Sequence, residues 1–122
     1  MIAFFNFCRI SGVYLDVWLC ETISSALRMP NSVLTELHLT NSEFYEKGTK
    51  VLIDGLINAQ CQLEALSLSG RGYPDELCKD LESAIKSITS NLRELELSGN
   101  IMRGLLCSLL SVVLFSPKLE KL

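Results

Sequence analysis

The chain has 122 residues, 48% of them hydrophobic, and a formal net charge of -3. That is the length of one domain, with ample material for a core. Its Lys and Arg residues are few and interspersed with acidic ones, the pattern of a solvated surface, so a phosphate-rich partner such as nucleic acid is not expected.

Residues 1–8 are apolar apart from Asn6, but no basic residue precedes them and Arg9 interrupts them, so they do not read as a signal peptide. They open a pattern instead. Phe5, Cys8 and Ile10 stand at offsets of three and two, with Val13 and Leu15 after them. Alternation of this kind predicts a short strand with one apolar face. A helix is predicted from about Asp16 to about Leu27, with Cys20, Ile23, Ala26 and Leu27 as its inward stripe. Trp18, near its start, is expected to pack. Met29 and Pro30 open the break that ends it.

The second unit repeats the first 29 residues later: Leu34, Leu37 and Leu39, then Phe44, then a helix from about Glu46 to Asn58 with the stripe Thr49, Leu52, Gly55 and Leu56. The third has Leu63, Leu66, Leu68 and Tyr73. Pro74 and Asp75 are placed to open its helix, since an amide there has no intrahelical partner, and Cys78, Leu81, Ala84 and Ile85 form the stripe. The fourth has Leu92, Leu95, Leu97 and Met102, followed by Cys107, Leu110, Val113 and Leu114. Leu119 and Leu122 begin another. The small third stripe residue, Ala26, Gly55 or Ala84, predicts close approach of helix to strand. The longest apolar patch, residues 105–115, contains Ser108 and Ser111 and falls short of a membrane span.

A fixed period of this size, with L-x-x-L-x-L in the second, third and fourth copies, other apolar residues at those positions in the first, and Asn100 completing L-x-x-L-x-L-x-x-N in the fourth, is the pattern of a leucine-rich repeat. The predicted units are 5–33, 34–62, 63–91 and 92–118, with 119–122 starting a fifth. Each unit exposes an apolar edge that only stacking can bury. Strands about 4.8 Å apart and helices roughly 8–10 Å apart cannot share a straight stack. The expected fold is therefore an α/β horseshoe, a right-handed βα solenoid with its parallel sheet on the concave side.

Cys20, Cys78 and Cys107 share one repeat position, which Thr49 fills in the second unit. A position taking Cys or Thr reads as a small, half-buried site. With Cys8 in a strand position and Cys61 in a loop, the five cysteines read as reduced thiols. The absence of an N-x-[ST] acceptor favours the cytosol, so a cytoplasmic location is expected.

Outward strand positions stack into rows: Phe7, Glu36, Ala65 and Glu94; then Arg9, His38, Ser67 and Glu96; then Ser11, Thr40, Ser69 and Ser98. The concave face is where a solenoid of this kind binds its partner. Arg9, Glu36, His38, Ser67, Glu94 and Glu96 are the candidate binding residues. His38, the single histidine, would point to this face while the helix cysteines point into the core, which separates them as a dyad. No Cys-x-x-Cys pair suggests zinc. No catalytic residue, metal or cofactor is expected, and the partner expected is a protein.

The phrases LTELHLTNS (34–42), LEALSLSG (63–70) and LRELELSGN (92–100) resemble the ribonuclease-inhibitor type of leucine-rich repeat. The stretches at 48–66, GTKVLIDGLINAQCQLEAL, and at 9–37 resemble paired repeats of vertebrate NOD-like receptors, notably the large fish set. Val13, Ser42 and Arg71 stand where that family keeps Asn or Cys. The nucleotide-binding G-x-x-x-x-G-K-[ST] loop does not occur, and Gly48-Thr49-Lys50 has neither its spacing nor its order. The resemblance implies an interaction module of a cytosolic innate-immune sensor, and the chain reads as a segment of a larger receptor. The alternative is an enzyme inhibitor of the ribonuclease-inhibitor kind or another regulatory scaffold.

Overall fold

The computed structural model describes residues 6–30, 33–60, 62–88 and 91–99. Phe5, Cys61, Asn100, Met102 and the whole stripe from Cys107 to Leu114, with Leu119 and Leu122, lie outside the described residues. So do the fourth helix and the start of a fifth unit.

The elements alternate as the period demands. They are β1 (Phe7–Ser11), β2 (Tyr14–Leu15), α1 (Val17–Arg28), β3 (Glu36–Phe44), α2 (Glu46–Ile57), β4 (Ala65–Arg71), α3 (Cys78–Ile88) and β5 (Glu94–Gly99). The strands form one parallel sheet in the order β1-β3-β4-β5, with β2 also paired to β3. Pairing is between residues 29 apart: Cys8 with Leu37, Leu37 with Leu66, Leu66 with Leu95. The repeat period is thus the sheet register.

Just before each strand, one carbonyl ties two units. Asn6 O accepts from the amides of Thr35 and Glu36 at 2.7 and 3.1 Å. Thr35 O does the same for Glu64 and Ala65, and Glu64 O for Arg93 and Glu94. The Thr35 hydroxyl adds a bond to Asn6 O at 3.0 Å.

The leucine face of the sheet and the inward stripes of the helices make one core. Leu37, Leu39, Leu66, Leu68 and Leu95 are buried together with Cys20, Ile23, Ala26, Leu27, Leu52, Leu56, Cys78, Leu81, Ala84 and Ile85. Phe44 and Tyr73, one period apart, meet edge to face at 5.4 Å and close the core at the turns. Asp16 caps α1, its Oδ1 accepting from the Leu19 amide at 2.9 Å, so one of the four amides without an intrahelical partner is satisfied.

Three expectations change. Trp18 is not packed but 80% exposed. It lies two residues from Cys20, which at 3.6 residues per turn puts it on the far side of α1. The third helix does not open directly at Pro74 and Asp75: a single 3-10 turn, Asp75–Leu77, comes first. The buried Tyr73 hydroxyl donates to the Leu77 carbonyl at 3.1 Å and fixes that turn. Finally, the close approach at Gly55 is to the neighbouring helix. A Cβ there would lie 2.8 Å from Ser24 Cα, well inside van der Waals contact, so Gly55 sets the spacing of α1 and α2.

Candidate functional site

The sheet face turned away from the helices carries the candidate residues, and the register places them in rows. Phe7, Glu36, Ala65 and Glu94 are paired in sequence across four strands, as are Arg9, His38, Ser67 and Glu96. The third row is interrupted. Ser11 pairs with Thr40 and Ser69 with Ser98, but between Leu39 and Ser42 the register slips and Ser42 pairs with Gly70.

The slip has a local cause. Asn41 takes a φ of 50°, the left-handed conformation that Asn tolerates better than most residues. Gly12 and Gly70, one period to either side, have φ of 70° and 148°. A Cβ on Gly70 would overlap the Ser42 carbonyl oxygen. The position just before the family's Asn is therefore the one that bends the chain. Its signal was present in the sequence as Gly12, Asn41, Gly70 and Gly99 at one interval. Val13, Ser42 and Arg71 do not interrupt the turns, because backbone bonds cross them. Gly12 N donates to Thr40 O at 3.1 Å and Glu43 N to Val13 O at 3.0 Å, while Asn41 N donates to Ser69 Oγ at 3.0 Å.

Within the rows, the inner and outer strands differ. His38 is 8% exposed and Ser67 6%. His38 Nδ1 lies 2.8 Å from Ser67 Oγ and Nε2 lies 2.9 Å from Glu36 Oε1. A carboxylate only accepts, so Nε2 carries the hydrogen toward Glu36, and in the neutral ring the Ser67 hydroxyl donates to Nδ1. Ser67, His38 and Glu36 have the connectivity of a nucleophile, base and orienting acid. The hydroxyl is nevertheless buried, and the neighbouring backbone belongs to the parallel ladder rather than to a set of convergent donors that could hold an oxyanion. The three residues tie β3 to β4.

Arg9, Glu94 and Glu96 are exposed. Among the described residues none of them makes an ion pair or a side-chain hydrogen bond. With His38, Thr40, Ser67 and Leu95 they line one depression of about 520 Å³. A second depression, of about 630 Å³, lies at the turns and is lined by Tyr14, Asn41, Glu43, Ser69, Gly70 and Arg71 among others. There Tyr14 stacks on Tyr45 at 5.9 Å, the Tyr45 hydroxyl donates to Glu43, and Arg71 Nε meets Glu43 Oε1 at 2.8 Å.

The thiols lie apart from both. Cys8, Cys20 and Cys78 are buried and in no disulfide among the described residues. Burial, with a smaller contribution from the Asp16 charge, pushes the Cys20 thiol up to about 11, and burial also raises Cys8. Thiols held protonated at neutral pH are poor nucleophiles. Thr49, at the same repeat position as Cys20 and Cys78, is buried with no partner for its hydroxyl among the described residues. No described helix is long and apolar enough to cross a membrane.

A parallel sheet backed by helices, repeated at 29 residues, describes a leucine-rich-repeat region of the ribonuclease-inhibitor type, and comparison with known proteins supports it. The chain is 37% identical over 98 residues to the ribonuclease inhibitor of Mus musculus, covering 76% of this chain and 21% of that protein. It is 38% identical over 95 residues to that of Sus scrofa, covering 78% of this chain and 19% of that one. It is also 35% identical over 81 residues to NACHT, LRR and PYD domains-containing protein 3 of Homo sapiens, covering 66% of this chain and 8% of that protein. The chain thus spans about a fifth of the inhibitors' length and under a tenth of the NACHT, LRR and PYD domains-containing protein's. No family model matches the chain, and no solved structure matches it significantly.

Proposed function

We propose that the chain is a protein-binding repeat segment of a cytoplasmic NOD-like innate-immune receptor, and that it engages its partner through the helix-free face of the sheet. The observation that carries this is the state of Arg9, Glu94 and Glu96. All three are exposed, take part in no ion pair among the described residues and line one depression together, whereas Arg71 with Glu43 and Lys86 with Glu82 neutralise each other. Similarity to proteins named for NACHT, LRR and PYD domains supports the receptor setting. The second reading, an inhibitor of a basic enzyme, is favoured by the 37–38% identity to ribonuclease inhibitors and by the two glutamates on β5.

The test compares two faces in the full-length protein that carries these repeats. Glu94→Lys with Glu96→Lys reverses the open face and leaves Leu92, Leu95 and Leu97 in place. Glu82→Lys with Lys86→Glu exchanges a helix pair that sits 3.0 Å apart and leaves net charge unchanged. In capture from cell lysate, partner recovery falls with the first pair, mainly through on-rate and salt dependence, and is unaltered by the second. Loss with the helix pair alone would refute the assignment of the face. Inhibition of a basic ribonuclease by the unaltered protein, lost with the β5 pair, would select the inhibitor reading.

A further inference from the structure

The open face is electrically polar from edge to edge. Arg9 on β1 and Glu96 on β5 belong to one row, joined through His38 and Ser67. Three strand spacings of about 4.8 Å separate their backbones by roughly 14 Å. Between them the floor is low, with Glu36 as its one further carboxylate. Ala65 and Ser67 are short and buried, and His38 and Glu36 satisfy each other. One depression reaches both ends, lined by Arg9 at one side and by Glu94 and Glu96 at the other.

We infer that this face docks a partner segment of both charges, running across the strands, with an acidic side chain over Arg9 and a basic one between Glu94 and Glu96. The inference rests on the reading of the face as the binding surface. Charge complementarity selects the occupant. A uniformly basic partner meets Arg9 and a uniformly acidic one meets two glutamates, and like charges brought together oppose binding. A segment bearing both has a counter-charge at each end. The buried Ala65 and Ser67 add shape without adding charge, so selection falls on the charged side chains to either side of them and on their spacing.

Extended chain advances about 3.3 Å per residue and alternates faces, so residues four apart share a face at roughly 13 Å. The probe is therefore the peptide Ser-Glu-Ser-Thr-Ser-Lys-Ser, with Lys/Lys and Glu/Glu versions as controls, measured against the full-length protein at low ionic strength, where screening is weak. The mixed probe binds about tenfold more tightly than either control. Arg9→Glu shifts preference to the Lys/Lys probe, and Glu94→Lys with Glu96→Lys shifts it to Glu/Glu. Combining all three reversals restores preference for the mixed probe, bound the other way round. All four proteins are first matched by circular dichroism.

If the unaltered protein binds Lys/Lys as tightly as the mixed probe and Arg9→Glu changes nothing, the two-charge inference fails while the face remains the binding surface. If no probe binds, the inference also fails. If probes bind but neither set of reversals alters any of them, the assignment of the face itself fails.

Discussion

The two faces of the sheet repeat at the same interval and follow opposite rules. On the helix side, equivalent positions keep their size class: Leu37, Leu66 and Leu95 in the strands, or Cys20, Thr49 and Cys78 in the helices. On the open side, the row from Arg9 to His38 to Ser67 to Glu96 changes chemistry at every step, although the row of Ser11, Thr40, Ser69 and Ser98 keeps its hydroxyl. The first face must stack against a copy of itself, and a packed interior penalises any change of volume. The second face meets solvent or a partner, and nothing in the stacking restrains its charge. Departures from the period on the open side therefore cost the stacking little, and the proposed binding surface draws on them.

That contrast breaks most visibly at Gly55. Gly55→Val places side-chain atoms against the backbone of α1 at Ser24, and overpacking of that kind costs about 3 kcal/mol. The small gain in helix propensity does not offset it. Urea denaturation of the full-length protein shows the loss, whereas Ile57→Val, two residues on and exposed, stays within about 0.5 kcal/mol. Equal effects at both sites would show that α1 and α2 do not depend on that close approach.

A smaller effect belongs to the one part of the open face that behaves like the core. Ser67→Ala removes the hydroxyl that faces His38 Nδ1 and leaves a buried ring nitrogen unpaired, a loss of about 1–2 kcal/mol. Glu96→Gln, exposed in the same row, changes stability by less than about 0.5 kcal/mol. If the thermal midpoint responds equally to the two, the inner and outer strands of this face are alike after all.

The smallest effect has the opposite sign. Thr49→Val keeps the shape and deletes a buried hydroxyl that has no partner among the described residues. Removing an unsatisfied polar group stabilises by about 1 kcal/mol. A loss of stability would mean that the hydroxyl is bonded in solution, and the helix stripe would then tolerate polarity as the open face does.

Much of this architecture is determined by the sequence alone. Period, register, the inward stripes of three helices and the order of the rows all follow from leucines 29 residues apart, because a repeat that cannot bury itself has to stack in phase. The Gly12, Asn41 and Gly70 column was legible too, though only when read one place ahead of the family's Asn. Tertiary structure decided the rest. Trp18 is exposed by its angular position on α1, Gly55 answers to a helix rather than a strand, and His38 lines the open face while its ring is largely buried between Glu36 and Ser67. Each depends on what lies across a gap from a neighbouring unit. A one-dimensional pattern reports which side a residue faces, whereas burial and pairing are set by the size and chemistry of the residue one period away.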